Sequence, residues 1–378
     1  MKIMLVRDRN VLNTNWLAYL ANLLHKRGHE VVIACDTYTK LGVSAPGYEL
    51  EEGVRVANVN GKTASPLCNL WHKVRCKLLP SWGLFNRLIE KEKPDMIICY
   101  FPVDLYNVTR FQRHNIPIVQ MVHNYPPVIL DKVLKKNSLL RAWCRRSFAQ
   151  VSAFQVLMNS YKKDIDPFFA PKKIVRIANP VKQYAESEMV DLAHEKKRII
   201  YVARVEKNIK RPHLLAEAFA KIAPEFPDWK VEIWGLRKYP DYEKEIENFI
   251  AAHNLTGQVA LMGYNQDVEA LYRSADIHAF PSSCEGFSLA IADAMALGLP
   301  HIGFKDAHSV NEIIIDGHNG FLAEDVDDFA EKLKILMKDK ALRIKFGQNA
   351  REDMKAYAPE ILMQQWDDLF KELAAPQK

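Results

Sequence analysis

The stretch PSSCEGFSLAIADAMALGLP, residues 281–300, decides the reading of this chain. It sets one carboxylate, Glu285, in a turn of small residues and a second, Asp293, eight residues later in an apolar helical run. A helix opening near Phe287 leaves the N–H groups of its first turn without intrahelical partners, at the positive end of the helix dipole. Such a terminus is a ready site for a phosphate or diphosphate. Asp293 then lies two turns down, roughly 9–12 Å along the axis at ~1.5 Å per residue. One acid beyond the helix tip and one beside its second turn match the two ends of an elongated, phosphate-centred ligand such as a nucleotide-sugar. The plain alternative is a capped amphipathic helix with an exposed acid.

On either side of this stretch, short apolar runs alternate with helical patterns. Residues 3–6 read as a strand and 16–26 as a helix ended by Gly28-His29. Residues 31–34, 96–99, 118–122 and 154–158 read as buried strands. A polar segment, 183–197, reads as an interdomain linker. The pattern then restarts with strands at 198–202, 230–234, 259–261, 276–280 and 300–304, helices at 213–222 and 242–252, and a closing helix at 359–373. Strands alternating with helices predict an α/β chain with parallel sheets and crossover helices. A length of 378 residues suits two domains. The expected division is 1–182, joined by a last helix from about 361, and 183–360.

The 281–300 stretch resembles the E-x7-E region of the family 4 retaining glycosyltransferases, enzymes of the GT-B fold. The resemblance implies two Rossmann-like domains facing across a cleft, with the last helix crossing back to the first domain. It also implies that Glu285 binds sugar hydroxyls, that backbone around Gly286, Phe287, Ser288 and Leu289 lines the sugar and diphosphate, and that Asp293 holds the donor ribose. Asp293 is one methylene shorter than the family's usual Glu at that position.

Three more stretches follow strand ends, where ligands bind in open parallel sheets. Arg204 with Lys210 resembles the family's pair of cations on the donor diphosphate, where positive charge stabilises the leaving group. Their offset of six is one longer than usual, and Arg211 is the alternative to Lys210. His123, in the loop His123-Asn124-Tyr125-Pro126-Pro127, takes by resemblance a catalytic place beside the anomeric carbon. Gly235, Gly263 and Tyr264 are the expected base-binding positions, with Tyr264 able to stack on the base. The family's Gly-Gly loop before the first helix reads Asn10-Val11-Leu12-Asn13-Thr14-Asn15 here, which leaves Asn13 and Asn15 as first-domain donor contacts. The likeness is strong over the second half of the chain, Asn179-Pro180 and residues 317–322 included, and mostly architectural over the first.

Composition narrows the remaining choices. No apolar run approaches the ~20 residues of a membrane span, and Arg7-Asp8-Arg9 follows the first apolar residues too soon for a signal peptide. Six scattered cysteines without a C-x-x-C pair point to a reducing cytoplasm and away from structural zinc. Asp164-Ile165-Asp166 sits among lysines and reads as a solvated face, so the expected chemistry needs no metal and no cofactor beyond the donor. The formal charge of +6 is unevenly spread. Residues 1–185 carry 28 Lys and Arg against 13 Asp and Glu, and the remainder carries 24 against 33. A basic first half suggests an anionic partner. Two segments, 71–87 and 132–163, interleave Lys and Arg with Trp and Phe, as helices lying in a membrane interface do; a helix packing its Trp inward is the other reading. No RNA-binding or zinc-finger pattern appears, which disfavours nucleic acid.

Together these features predict a metal-independent transferase moving a hexose from a nucleotide-sugar, UDP-linked by preference, to a lipid-linked or lipopolysaccharide or capsule glycan acceptor. It would act peripherally on the inner face of the cytoplasmic membrane. A soluble acceptor, or a degenerate nucleotide-binding subunit, is the alternative. A nicotinamide dehydrogenase is disfavoured, since no G-x-G-x-x-G follows the first strand.

Overall fold

A computed structural model of the chain describes residues 1–7, 15–35, 49–59, 82–109, 115–135 and 138–375. The chain divides into two compact units, Met1–Ile177 with Leu362–Lys378, and Ala178–Ile361. In the first unit the strands are β1 (Lys2–Arg7), β2 (Glu30–Cys35), β3 (Arg55–Asn58), β4 (Met96–Cys99), β5 (Ile118–Val122), β6 (Ala153–Val156) and β7 (Ile174–Arg176). They pair in parallel in the order β3-β2-β1-β4-β5-β6-β7. β4, β5 and β6 are buried along their whole length. Helices cover both faces of a parallel sheet, so its inner strands are mostly apolar rather than alternating, and the buried polar exceptions, Gln120 in β5 and Gln155 in β6, donate to backbone carbonyls.

The helix Asn15–Lys26 packs Leu17, Leu20 and Leu24 on β1 and β2. The closing helix Pro359–Ala374 belongs to this unit from Leu362 onward, and buries Met363, Trp366 and Phe370 in the same core. Asp367 fixes its outer edge by accepting from Arg27 Nε at 2.9 Å and meeting His29 Nε2 at 3.0 Å.

The second unit contains β8 (Arg198–Val202), β9 (Lys230–Trp234), β10 (Val259–Gly263), β11 (Ile277–Phe280), β12 (His301–Phe304) and β13 (Gly320–Ala323). They pair in parallel in the order β10-β9-β8-β11-β12-β13. Both sheets therefore reverse their strand order beside their first strand, and that reversal opens a crevice at the carboxyl ends. In the second unit the crevice lies between β8 and β11.

Two expectations need correction. Residues 183–197 are not a free tether. Val190 and Leu192 are buried, the Val190 N–H donates to Leu297 O at 2.9 Å, and Glu195 pairs with the fully buried Arg343. A few apolar anchors and several ion pairs, Arg351–Glu186 and Lys197–Asp228 among them, bind a largely polar segment to the second unit.

The helix Ser138–Phe148 does not present its aromatic residues outward. Phe148 is fully buried, 4.6 Å from Phe169 between ring centroids, and Trp143 lies 4.9 Å from Tyr106. Among its described side chains the aromatic ones pack inward, and Arg141, Arg145 and Arg146 are exposed. Of the other basic segment, residues 71–81 lie outside the described residues, and Phe85 is buried. Asp166, the last residue of the acidic triplet, caps a turn by accepting from the Phe168 N–H at 2.7 Å.

Candidate active site

The second unit gathers most of the candidate side chains on the loops that leave β8, β9, β10 and β11. The loop after β8 is shaped by Glu206, whose carboxylate accepts from the N–H groups of Asn208 at 2.8 Å and Ile209 at 2.9 Å. This turn carries Lys210 toward the loop after β11. There the Ser283 N–H donates to Ile209 O at 2.8 Å, and Arg211 Nε donates to Pro281 O at 2.9 Å. Arg211 adopts a left-handed backbone conformation, φ 49°, and its guanidinium lies over Phe304 at 5.1 Å. Arg211 thus fastens the two loops together, and Lys210 is the cation presented at the site.

Lys210 Nζ pairs with Glu285 Oε1, and both side chains are only 14% and 13% exposed. The same carboxylate oxygen accepts from Ser282 Oγ at 2.6 Å, and Ser282 is fully buried. The Glu285 N–H donates to His308 O at 3.1 Å, so the backbone that carries the acid is held as well. A largely buried carboxylate gripped by a cation and a hydroxyl is held in one orientation. Burial with the neighbouring Glu285 charge raises the Cys284 thiol to about 11, which makes it a poor nucleophile at neutral pH.

Beyond Glu285 the helix Leu289–Ala296 begins two residues later than Phe287. Ser288 stands at its N-cap, but the hydroxyl makes no capping bond and its Oγ, although buried, has no hydrogen-bond partner. An N-cap hydroxyl ordinarily satisfies a first-turn N–H. Here those N–H groups are left to an external acceptor, which suits an anion.

Arg204, Gly235 and Tyr264 come together in one concavity of about 160 Å³, lined also by Trp234, Leu236 and Leu271. Gly235 is required by close approach. A Cβ there would lie 1.7 Å from Ala203 O, while its N–H donates to Gly263 O at 2.7 Å. Gly263, at φ 87°, turns the chain out of β10 toward Tyr264, which is 59% exposed. Among the described residues the Arg204 guanidinium pairs with no carboxylate, and Tyr201 Oη donates to its carbonyl at 2.8 Å. The Tyr201 ring stacks on Phe280 at 6.0 Å, and Lys210 Nζ lies 5.2 Å from the centre of the same Phe280 ring. One packed chain of side chains therefore joins the concavity to the Lys210–Glu285 pair.

Asp293 is not in the wall of this concavity. It stands near Glu269, on the short helix whose Val268 and Leu271 do line it. Burial, reinforced by the Glu269 charge and opposed by Lys182, raises the Asp293 carboxyl to about 7.

In the first unit, His123 follows β5. Its ring lies 5.5 Å from Trp16 and 4.9 Å from Tyr100, and its Nε2 is buried without a hydrogen-bond partner. Burial lowers its pKa to about 3, so the imidazole is neutral at physiological pH. Asn13 and the Asn15 side chain lie outside the described residues. Among the described residues no group of three or more His, Cys, Asp or Glu is placed to hold a metal ion, and no helix is long and apolar enough to cross a membrane.

Sequence reasoning passed over Ser282, Glu206 and Tyr201. The Ser-x-x-Glu spacing of Ser282 and Glu285 was a usable signal, since that spacing lets a hydroxyl and a carboxylate meet. Nothing local marks Glu206 or Tyr201, whose partners are backbone atoms of the loop after β8.

Comparison with known proteins agrees with this geometry. Residues 185–353 match the family described as Glycosyl transferases group 1, and residues 14–183 match Glycosyltransferase Family 4. An uncharacterized glycosyltransferase of Haemophilus influenzae is 23% identical over 93% of this chain and 94% of its own length. The poly(ribitol-phosphate) alpha-N-acetylglucosaminyltransferase of Staphylococcus aureus is 26% identical over 75% of this chain and 57% of its own. Among solved structures, a point mutant of S. aureus TarM, in complex with fondaparinux, alpha-GlcNAc-glycerol and UDP, superposes with a TM-score of 0.75. That match covers 98% of this chain and 99% of the other at 16% identity. With its two parallel-sheet Rossmann-like units, the chain belongs to the family 4 glycosyltransferases of the GT-B fold.

Proposed function

We propose that this glycosyltransferase is a retaining, metal-independent hexosyltransferase. Its donor is a UDP-sugar and its acceptor a lipid-linked or surface glycan, met at the anionic cytoplasmic face of a membrane. The observation that carries the reading is the joined arrangement in the second unit. Arg204, Gly235 and Tyr264 line one concavity, and packed side chains link it to Lys210, Glu285 and the uncapped helix terminus at Ser288.

In this reading Tyr264 and the backbone at Gly235 and Gly263 take the base. Arg204, Lys210 and the N–H groups from Gly286 to Leu289 neutralise the diphosphate as it departs. Glu285 orients the sugar hydroxyls, Asp293 holds the ribose, and neutral His123 hydrogen-bonds the sugar or the acceptor. The acceptor oxygen bonds to the anomeric carbon on the face from which the C–O bond to the diphosphate breaks, and a donor phosphate oxygen takes the acceptor proton. The protein positions the reactants and stabilises charge, so no dedicated base is needed. The UDP in the TarM complex and the polyol-phosphate acceptor named for the S. aureus relative support the choice of donor and acceptor.

The test is turnover of UDP-sugars by wild type and Glu285→Ala, with product configuration read from anomeric proton couplings. Transfer with retention, lost in Glu285→Ala without a change in folding, is expected. Undiminished turnover in the variant, or an inverted product, overturns the reading. A second reading draws on Asp293, which stands off the concavity beside Glu269. A degenerate subunit would bind nucleotide and transfer nothing to any acceptor, lipid-linked or soluble.

A further inference from the structure

Many cations of both units pair with carboxylates; in the first unit Lys2 pairs with Glu92, Arg27 with Asp367 and Arg55 with Glu92. In the second unit, Arg198 pairs with Glu232, Arg237 with Glu243 and Glu247, Arg273 with Glu269, Arg343 with Glu195 and Arg351 with Glu186. In the first unit, the helix Ser138–Phe148 exposes Arg141, Arg145 and Arg146. None of them pairs with a carboxylate among the described residues. The Arg141 guanidinium lies over Phe168 at 5.3 Å. That contact ties the helix to the segment 160–169, which exposes Lys162 and Lys163, also without ion pairs among the described residues. Arg141 and Arg145 stand four residues apart on one helix face, where like charges repel. The helix dipole favours Arg145 and Arg146 in the last turn but offers nothing to Arg141.

Of the described aromatic residues of the helix, Phe148 is buried and Trp143 packs on Tyr106. Among the described side chains of this helix what remains outward is mainly charge, and no large apolar residue is exposed. A surface of this kind complements a plane of negative headgroups that it touches without insertion.

We propose that Arg141, Arg145 and Arg146, flanked by Lys162 and Lys163, form an electrostatic docking face for anionic lipid. The inference rests on the reading of an enzyme working at a membrane, and it names the surface and the mode. Each basic residue near an anionic leaflet strengthens binding about fivefold, so loss of three weakens it about a hundredfold.

The experiment is co-sedimentation of the full chain with phosphatidylglycerol–phosphatidylcholine vesicles and with pure phosphatidylcholine vesicles, at about 0.05 M and about 0.5 M salt. The proteins are wild type, R141Q/R145Q/R146Q, and the control K244Q/K340Q/K345Q, which removes the same charge from exposed lysines of the second unit. Melting curves of all three establish folding. Wild type and control should bind only the anionic vesicles, only at low salt, and without a blue shift of tryptophan emission; the arginine variant should not bind.

Equal binding by the arginine variant, binding that survives high salt, or wild type that binds polyphosphate but no vesicle each overturns the proposal. The last outcome assigns the face to an anionic polymer instead. UDP-sugar binding measured on the same samples separates the two claims. Retained donor binding without vesicle binding sinks the docking face and leaves the transferase reading standing.

Discussion

Gly235 offers a sharp perturbation because the structure fixes its cost. The Gly235→Ala methyl would fall 1.7 Å from Ala203 O, a backbone atom that cannot rotate away. Reaching even 3.0 Å requires the ends of β8 and β9 to part by about 1.3 Å. That movement strains the bond from the Ala203 N–H to Trp234 O, now 3.0 Å, or the bond from the Gly235 N–H to Gly263 O, now 2.7 Å. Overpacking costs about 1–3 kcal/mol, and a lost backbone hydrogen bond adds about 1 kcal/mol. A total near 3 kcal/mol lowers the melting temperature of a unit of this size by about 6–12 °C. The same displacement moves Arg204 and Leu236 apart across the concavity, so nucleotide binding should weaken with stability. Calorimetry with and without UDP-glucose reads both effects. A variant melting within about 2 °C of wild type, with its UDP-glucose response intact, would refute the argument that close approach at Gly235 builds the pocket.

Three further outcomes follow from the same geometry. Ser282→Ala removes the hydroxyl that donates to Glu285 Oε1, and a hydrogen bond to a charged group is worth about 1.5–3 kcal/mol; kcat should fall roughly tenfold to a hundredfold with donor affinity little changed, as steady-state kinetics would reveal. His123→Ala should lower turnover in the same assay, while wild-type rates show no limb from this histidine between pH 5 and 9, because its folded pKa is about 3. Asp293 has a folded pKa raised to about 7 from 3.8, so the folded state holds the proton more tightly. Its stabilising contribution is present below the unfolded pKa and is lost as pH rises through 7. Asp293→Asn should therefore melt higher than wild type at pH 8 and similarly at pH 4, yet show a smaller UDP-induced shift; a variant with the wild-type pH dependence contradicts the burial argument.

The strands were readable because parallel sheets covered on both faces favour near-continuous apolar runs, as in Met96–Cys99 and, with Gln120 as its one polar residue, Ile118–Val122. The closing helix was readable from Trp366 and Phe370, too large and apolar to be left in solvent. Positions fixed by distant partners were not readable. The start of the helix at Leu289 depends on tertiary bonds to Ile209 O and His308 O, which hold residues 283–285 out of helical conformation. The polar segment 183–197 concealed a buried ion pair whose other half, Arg343, lies 148 residues away. The Ser138–Phe148 helix showed the right residues but not which side the core would claim. At the site, the resemblance to the family, carried at strand ends, pointed to Arg204, Gly235 and Tyr264. The grip of Lys210 and Ser282 on Glu285 arises only when the loops after β8 and β11 meet.

The measurement that bears most directly on the account is thermal stability against UDP-, GDP-, ADP- and CMP-sugars, for wild type and Arg204→Ala. A ligand at about a hundred times its Kd stabilises the folded protein by ~2.7 kcal/mol, a readily resolved shift in melting. The account predicts a shift with UDP-sugars that Arg204→Ala abolishes. No shift with any donor, or an undiminished shift in Arg204→Ala, would contradict the assignment of this crevice to a nucleotide-sugar diphosphate.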